Sequence, residues 1–156
     1  MKRNNFRAIV SLLIVAVMLL LTVSCGVGKV DGKGSATVVI AAGDDRYEYE
    51  VPLSEVDTSL GAVGLLEYLK AEKGVDYTSE DLGYGAYLTK VGALEQDASA
   101  GVYVGIWTSV ESDMDRESQY STAITYRGTE LVSAAVGMSS LNVPDGAVIY
   151  FGELKY

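Results

Sequence analysis

The sequence predicts an α+β domain, one helix packed on a mostly antiparallel sheet, after an N-terminal signal peptide. Three observations carry this. Two neighbouring runs alternate apolar and polar residues across a Gly-Asp turn. One stretch repeats apolar residues at helical spacing between an N-cap and a C-terminal glycine. Runs rich in β-branched and aromatic residues fill most of the chain beyond that helix.

The chain of 156 residues opens with Lys2, Arg3 and Arg7, followed by the uncharged apolar run from Ala8 to Val23. The run has no polar face, so it does not read as a helix of a small core. It is long for the apolar part of a signal peptide and short of the roughly 18 to 20 residues of a spanning helix. A secretory signal or an uncleaved anchor would share these features. Thr22-Val23-Ser24-Cys25 resembles the lipobox of bacterial lipoproteins, with Thr22 where Leu is usual. The resemblance implies removal of residues 1–24, lipidation of Cys25 as the mature N-terminus, and a protein anchored on the extracytoplasmic face of the cell membrane. Two or more acyl chains hold such a protein stably, whereas one does so only marginally.

Residues 25–35 carry Gly26, Gly28, Gly32 and Gly34 among Lys29, Asp31 and Lys33 with no apolar period, and are expected to form a flexible tether. Residues 36–156 form the domain. Ala36–Ala41 and Tyr47–Leu53 alternate as strands of a hairpin around Gly43-Asp44-Asp45, with Glu48 and Glu50 on its wet face. Asp57-Thr58-Ser59 then precedes Leu60, Val63, Leu66 and Leu69, and Gly74 follows Lys70 and Lys73, which predicts a helix over about Ser59–Lys73. Gly61 and Gly64 weaken it by about 1 kcal/mol each relative to alanine, or let it lie close on a sheet. Strands are expected at Ala86–Val91, Val102–Val110, Thr122–Arg127, Glu130–Ala134 and Ala147–Leu154, the last after the turn Pro144-Asp145-Gly146. Hairpin, helix, then several strands is a β-grasp-like order.

Composition narrows the function. Removing residues 1–24 takes three of the twelve basic residues, leaving nine against 21 acidic ones and a net charge of −12. A nucleic-acid partner is therefore not expected, since phosphates are met by clustered Lys and Arg. The chain has no histidine, which excludes Ser-His-Asp and Cys-His catalysis and His-ligated zinc. With Cys25 carrying lipid, no disulfide is available, and the domain must be held by packing.

Gly83-Tyr84-Gly85-Ala86-Tyr87-Leu88 through Gly101-Val102-Tyr103-Val104-Gly105-Ile106-Trp107 is similar to the middle of the transcobalamin-like C-terminal domain family, which has many uncharacterised members on bacterial surfaces. Val136-Gly137-Met138 through Leu141, then Pro144 to Phe151, resembles that family's closing hairpin. The resemblance implies a β-grasp-like fold, a role in ligand binding, and a corrinoid among the candidate ligands. Two features depart from it: Thr108-Ser109-Val110-Glu111 stands where many members carry Tyr-Val-Asn-Gly, and the large helical partner domain of the transcobalamins is missing.

The strand at Val102–Val110 carries the candidate site. Val102, Val104, Ile106, Thr108 and Val110 are expected to face the helix, while Tyr103, Gly105, Trp107 and Ser109 point the other way. Either the reverse face presents two aromatic rings around a glycine gap to a ligand, or a further strand or residues 111–121 cover it and make a second small core. Tyr84 and Tyr87, in and after a glycine-rich stretch, are candidate anchors beside it. The ligand-binding set is thus Tyr84, Tyr87, Tyr103, Gly105 and Trp107. Glu111, Asp113, Asp115 and Glu117 alternate as cation ligands can. The EF-hand pattern fails at Ser118 and Ile124, so an acidic solvated loop is expected and no metal. Glu95 and Asp97 are the one carboxylate pair that could share acid and base roles; no catalytic residue and no cofactor are expected. The expected function is non-catalytic binding of a small extracellular ligand, with a surface adhesion or scaffolding module that binds another protein as the alternative.

Overall fold

The computed structural model describes residues 27–81 and 86–155. The signal peptide expected over residues 1–24, the expected lipidation site Cys25, and Tyr84 lie outside the described residues. The fold is α+β, with one α-helix packed on a mostly antiparallel sheet.

The predicted hairpin is present as β1 (Ser35–Ala42) and β2 (Asp45–Pro52), paired antiparallel from Ser35 with Pro52 to Ala42 with Asp45. Gly43, at φ 61°, makes the tight turn that an L side chain resists. Val51 and Leu53 are buried, and Glu48 and Glu50 stand in solvent, as the alternation requires.

Helix α1 (Val63–Lys73) begins four residues later than its apolar spacing suggested. Asp57 does cap a turn, accepting the Ser59 N–H at 2.9 Å, but that turn is a 3-10 segment, Thr58–Leu60. Gly61, at φ 58° and ψ −147°, then breaks the path, and a methyl on it would come within 2.3 Å of the Ser139 carbonyl oxygen. The glycine is there for close approach to another segment. Gly74 ends α1 in the left-handed conformation, its N–H bonded to the Leu69 carbonyl.

Beyond α1 come β3 (Tyr77–Asp81), β4 (Ala86–Val91), β5 (Leu94–Glu95), β6 (Val102–Thr108), β7 (Ala123–Tyr126), β8 (Thr129–Ser133) and β9 (Val148–Lys155). β3 and β5 have no counterpart in the sequence prediction. Both are short, and β3, Tyr-Thr-Ser-Glu-Asp, offers too little apolar alternation to stand out. Six strands form one sheet in the order β2-β1-β9-β6-β8-β7, parallel only between β1 and β9; β3-β4-β5 form a second.

The main core lies between α1 and the large sheet. Leu65, Leu66 and Leu69 meet Val38, Ile40, Ile149 and Phe151, with Val104 from β6 and Leu88 from β4. On the reverse of the sheet a smaller cluster gathers Val39, Trp107, Tyr126 and Leu131.

The tether expected over residues 25–35 is, in its described part, docked on the domain. Val30 is 7% exposed and pairs with Val143 in a parallel bridge. Gly28 N–H donates to the Ser139 carbonyl at 2.7 Å, Val143 N–H to Lys29 at 2.8 Å, and Asp31 N–H to Val143 at 3.0 Å. Gly28 serves contact, with no room for a Cβ beside the Leu141 carbonyl, whereas Gly32 has open space around it.

Candidate functional site

β6 separates its side chains as the alternation predicts. Val104 joins the helix-side core, Ile106 and Val110 pack against it, and Trp107 lies in the cluster behind the sheet. The reverse face, however, is covered. Trp107 is only 5% exposed, packed against Tyr126 and Leu131, and its Nε1–H donates to Thr122 Oγ1 at 3.0 Å. The second small core is what forms.

The glycine gap between Tyr103 and Trp107 is likewise filled. Gly105 pairs with Gly152 across β6 and β9, and this bare patch is the floor on which the Trp107 indole rests. Tyr150, opposite Trp107 in the same ladder, meets it edge to face, with ring centroids 6.0 Å apart and planes at 86°. An open pair of rings flanking a slot is therefore absent, because the strands that cover them enter from later in the chain.

What remains open is a cleft at the edge of β6. This strand pairs with β9 along its whole length, but with β8 only at Trp107 and Thr108. Where β8 diverges, a cavity of about 430 Å³ opens, bounded by Ala86–Leu88 of β4, Val104–Trp107 of β6, and residues of the 115–121 and 133–137 segments. A second, of about 490 Å³, adjoins it between Tyr87, Tyr103 and Leu154. Both share Tyr87, Val104 and Leu154. The structure thus places Tyr87, Tyr103, Gly105 and Trp107 around two neighbouring hollows, Gly105 and Trp107 on the first, Tyr103 on the second and Tyr87 on both. Tyr87 Oη donates to Gln96 Oε1 at 3.1 Å, which fixes its ring on the wall. Leu154 and the small residues Ala134, Ala135 and Gly137 complete the lining and were missed, since nothing in their sequence marks a wall.

Asp115 is the one carboxylate lining the first cavity, and no Lys or Arg lines either among the described residues. Its Oδ1 accepts the Ser118 N–H at 2.9 Å, bracing the loop that forms the rim. The other acidic residues diverge. Glu111 is held by Arg116 at 2.8 and 2.9 Å, and that hydrogen bond keeps its carboxyl below the usual range. Asp113 turns inward, accepting the backbone N–H and side-chain amide of Asn142 at 2.6 and 2.7 Å. Among the described residues no three His, Cys, Asp or Glu side chains converge as metal ligands. Glu95 pairs with Lys90 at 3.2 Å, while Asp97 caps its own turn through Ser99 and Ala100, whose bonds lower its pKa. The two are engaged apart.

No protein-family model matches the chain, and the comparison with curated proteins gives no match. Among solved structures, the fold resembles that of haptocorrin in complex with Cbi, at a TM-score of 0.53 and 16% identity. The match covers 79% of this chain and 25% of haptocorrin, so the chain spans about a quarter of that protein's length. A protein provisionally described as metal-binding, from Ruminococcus gnavus ATCC 29149, matches at a TM-score of 0.49 and 20% identity, over 80% of this chain and 99% of its own. At these identities the likeness is one of fold: a small α+β domain distantly resembling the haptocorrin type. No helix among the described residues is long and apolar enough to cross a membrane.

Proposed function

We propose that this chain is an extracytoplasmic lipoprotein, anchored through a lipid on Cys25, whose domain binds a small extracellular ligand without bond-making chemistry. The observation that carries the binding half is the cleft between β4 and β6. It combines a volume of about 430 Å³, within the range of small-molecule sites, with apolar walls and a few polar groups. The basic N-terminus, apolar run and lipobox-like Thr22-Val23-Ser24-Cys25 support the anchor.

The ligand approaches Tyr87 and Tyr103 from the open side and meets only the edge of Trp107. A corrinoid, implied by the family resemblance and by the Cbi bound to haptocorrin, is the first ligand to test. Trp107 is the only tryptophan, so its emission reports the cleft directly. Titration of the full chain with cobinamide, cobalamin and small glycans, followed by calorimetry and Trp107 emission, should give saturable binding that weakens at least tenfold in Tyr87→Ala. No response to any of them, with capture of a single protein partner instead, would replace this reading by the adhesive one. Retention of Cys25→Ala in the membrane fraction would remove the anchor.

A further inference from the structure

Three segments distant in sequence meet at one point of the surface. Gly28 N–H donates to the Ser139 carbonyl at 2.7 Å, and a Cβ on Gly61 would fall 2.3 Å from that same carbonyl oxygen and 3.2 Å from the Gly28 nitrogen. The chain after Gly28 is held there, since Lys29 N–H donates to Asn142 Oδ1 at 2.9 Å and Val30 is buried beside Val143. Val27 and Leu60, each next in the chain to one of the two touching glycines, are 56% and 38% exposed. Val136, three residues before Ser139, is exposed as well. Three of the five large apolar side chains that stand in solvent among the described residues thus belong to the segments converging on Gly28.

We infer that this face, built around Val27 and Leu60, rests on the lipid bilayer. The inference rests on the proposed lipid anchor at Cys25 and names the surface that the anchor brings down. Three residue steps separate Cys25 from Gly28, and fully extended they span about 11 Å. The headgroup layer is itself about 5–8 Å deep on each side of a bilayer. With acyl chains on Cys25, the docked Gly28 therefore rises only a few ångströms clear of the headgroups, and the side chains around it reach them. A free tether over residues 25–35 would allow about three times that height. So short a link also keeps lipid at high local concentration beside the face, where a few apolar side chains suffice to hold it. Charge does not drive the contact, because Lys29 stands 3.9 Å from Asp31 and Asp57 begins the turn that carries Leu60.

The test uses the lipidated chain in phosphatidylcholine vesicles that carry nitroxide headgroups. Cys25 is the only cysteine, so with its thiol in the lipid linkage a fluorescent label goes to Thr58→Cys, beside Leu60, or to Asp44→Cys, in the hairpin turn. That turn lies beyond Ala42, about 24 Å along β1 from Ser35. Quenching at position 58 should exceed that at position 44 about threefold, and about 1 M salt should leave it unchanged. Val30→Asp, which frees the docked segment, should bring quenching at position 58 down to the level at position 44. The pair Val27→Asp and Leu60→Asp, at exposed positions that leave the fold intact, should do the same. Equal quenching at the two positions in the parent chain, quenching lost in salt, or quenching that survives either variant would overturn the inference while leaving the anchor standing. If Cys25 carries no lipid, the anchor and the inference fall together.

Discussion

The indole of Trp107 lies across the α-carbon of Gly105, so that a methyl at Gly105 would fall 2.4 Å from Cη2 and 2.6 Å from Cζ3. Gly105→Ala should therefore cost about 1–3 kcal/mol by overpacking, and should push the indole outward. Urea denaturation gives the loss, and a red shift of Trp107 emission reports the displacement. Gly152→Ala should cost less, about 1 kcal/mol, since its nearest obstacle is the Tyr150 ring at 3.0 Å, which can shift.

Asp113 joins the segment after β6 to the one before β9. It is 5% exposed, and it accepts two hydrogen bonds from Asn142 and one from Ser112 Oγ at 2.9 Å. Asp113→Ala leaves the half-buried Asn142 donors without their acceptor, at a cost of about 1 kcal/mol. The thermal midpoint should fall. Hydrogen exchange at Asn142 N–H should accelerate more than exchange within β1, which separates local release from global loss.

Docking of residues 28–31 turns on Val30 in its buried seat beside Val143. Val30→Asp should undock the segment, so that Gly28 and Asp31 amides lose protection while β1 and β9 keep theirs. The milder Val30→Ala should cost about 1–2 kcal/mol. If exchange at Gly28 is already unprotected in the parent chain, the segment is the flexible tether its composition suggested.

Tyr77 should make stability fall at high pH. Burial, then the hydrogen bond from its hydroxyl to Glu67 Oε1 at 2.5 Å, together push its pKa from 10 up to about 12. The folded chain keeps this proton after the unfolded chain has released it, so the contribution is complete below pH 10 and is lost between 10 and about 12. Denaturation midpoints measured across that window should decline less steeply in Tyr77→Phe than in the parent.

The hairpin, the body of α1 and the two faces of β6 were legible in the sequence because each is a local periodicity. Val51 and Leu53 go inside and Glu48 and Glu50 outside by alternation alone, and the Leu66 and Leu69 stripe needs no knowledge of what it meets. The N-terminus of α1 was misplaced because Gly61 answers to Ser139, nearly eighty residues away. Of the candidate site, Tyr87, Tyr103, Gly105 and Trp107 do border two neighbouring hollows, but their exposure was not readable. Trp107 is sealed by Tyr126 and Leu131, which reach it only after β7 and β8 have folded back onto β6.

By itself, then, the sequence settled which residues could pair and which face of each element was apolar, since alternation and helical spacing act over a few residues. Tertiary structure alone decided which apolar face would be covered and where a cleft would open. Both depend on where β8 departs from β6, after pairing with it only at Trp107 and Thr108. Coverage and gaps are properties of non-local contacts, and no short stretch of sequence carries them.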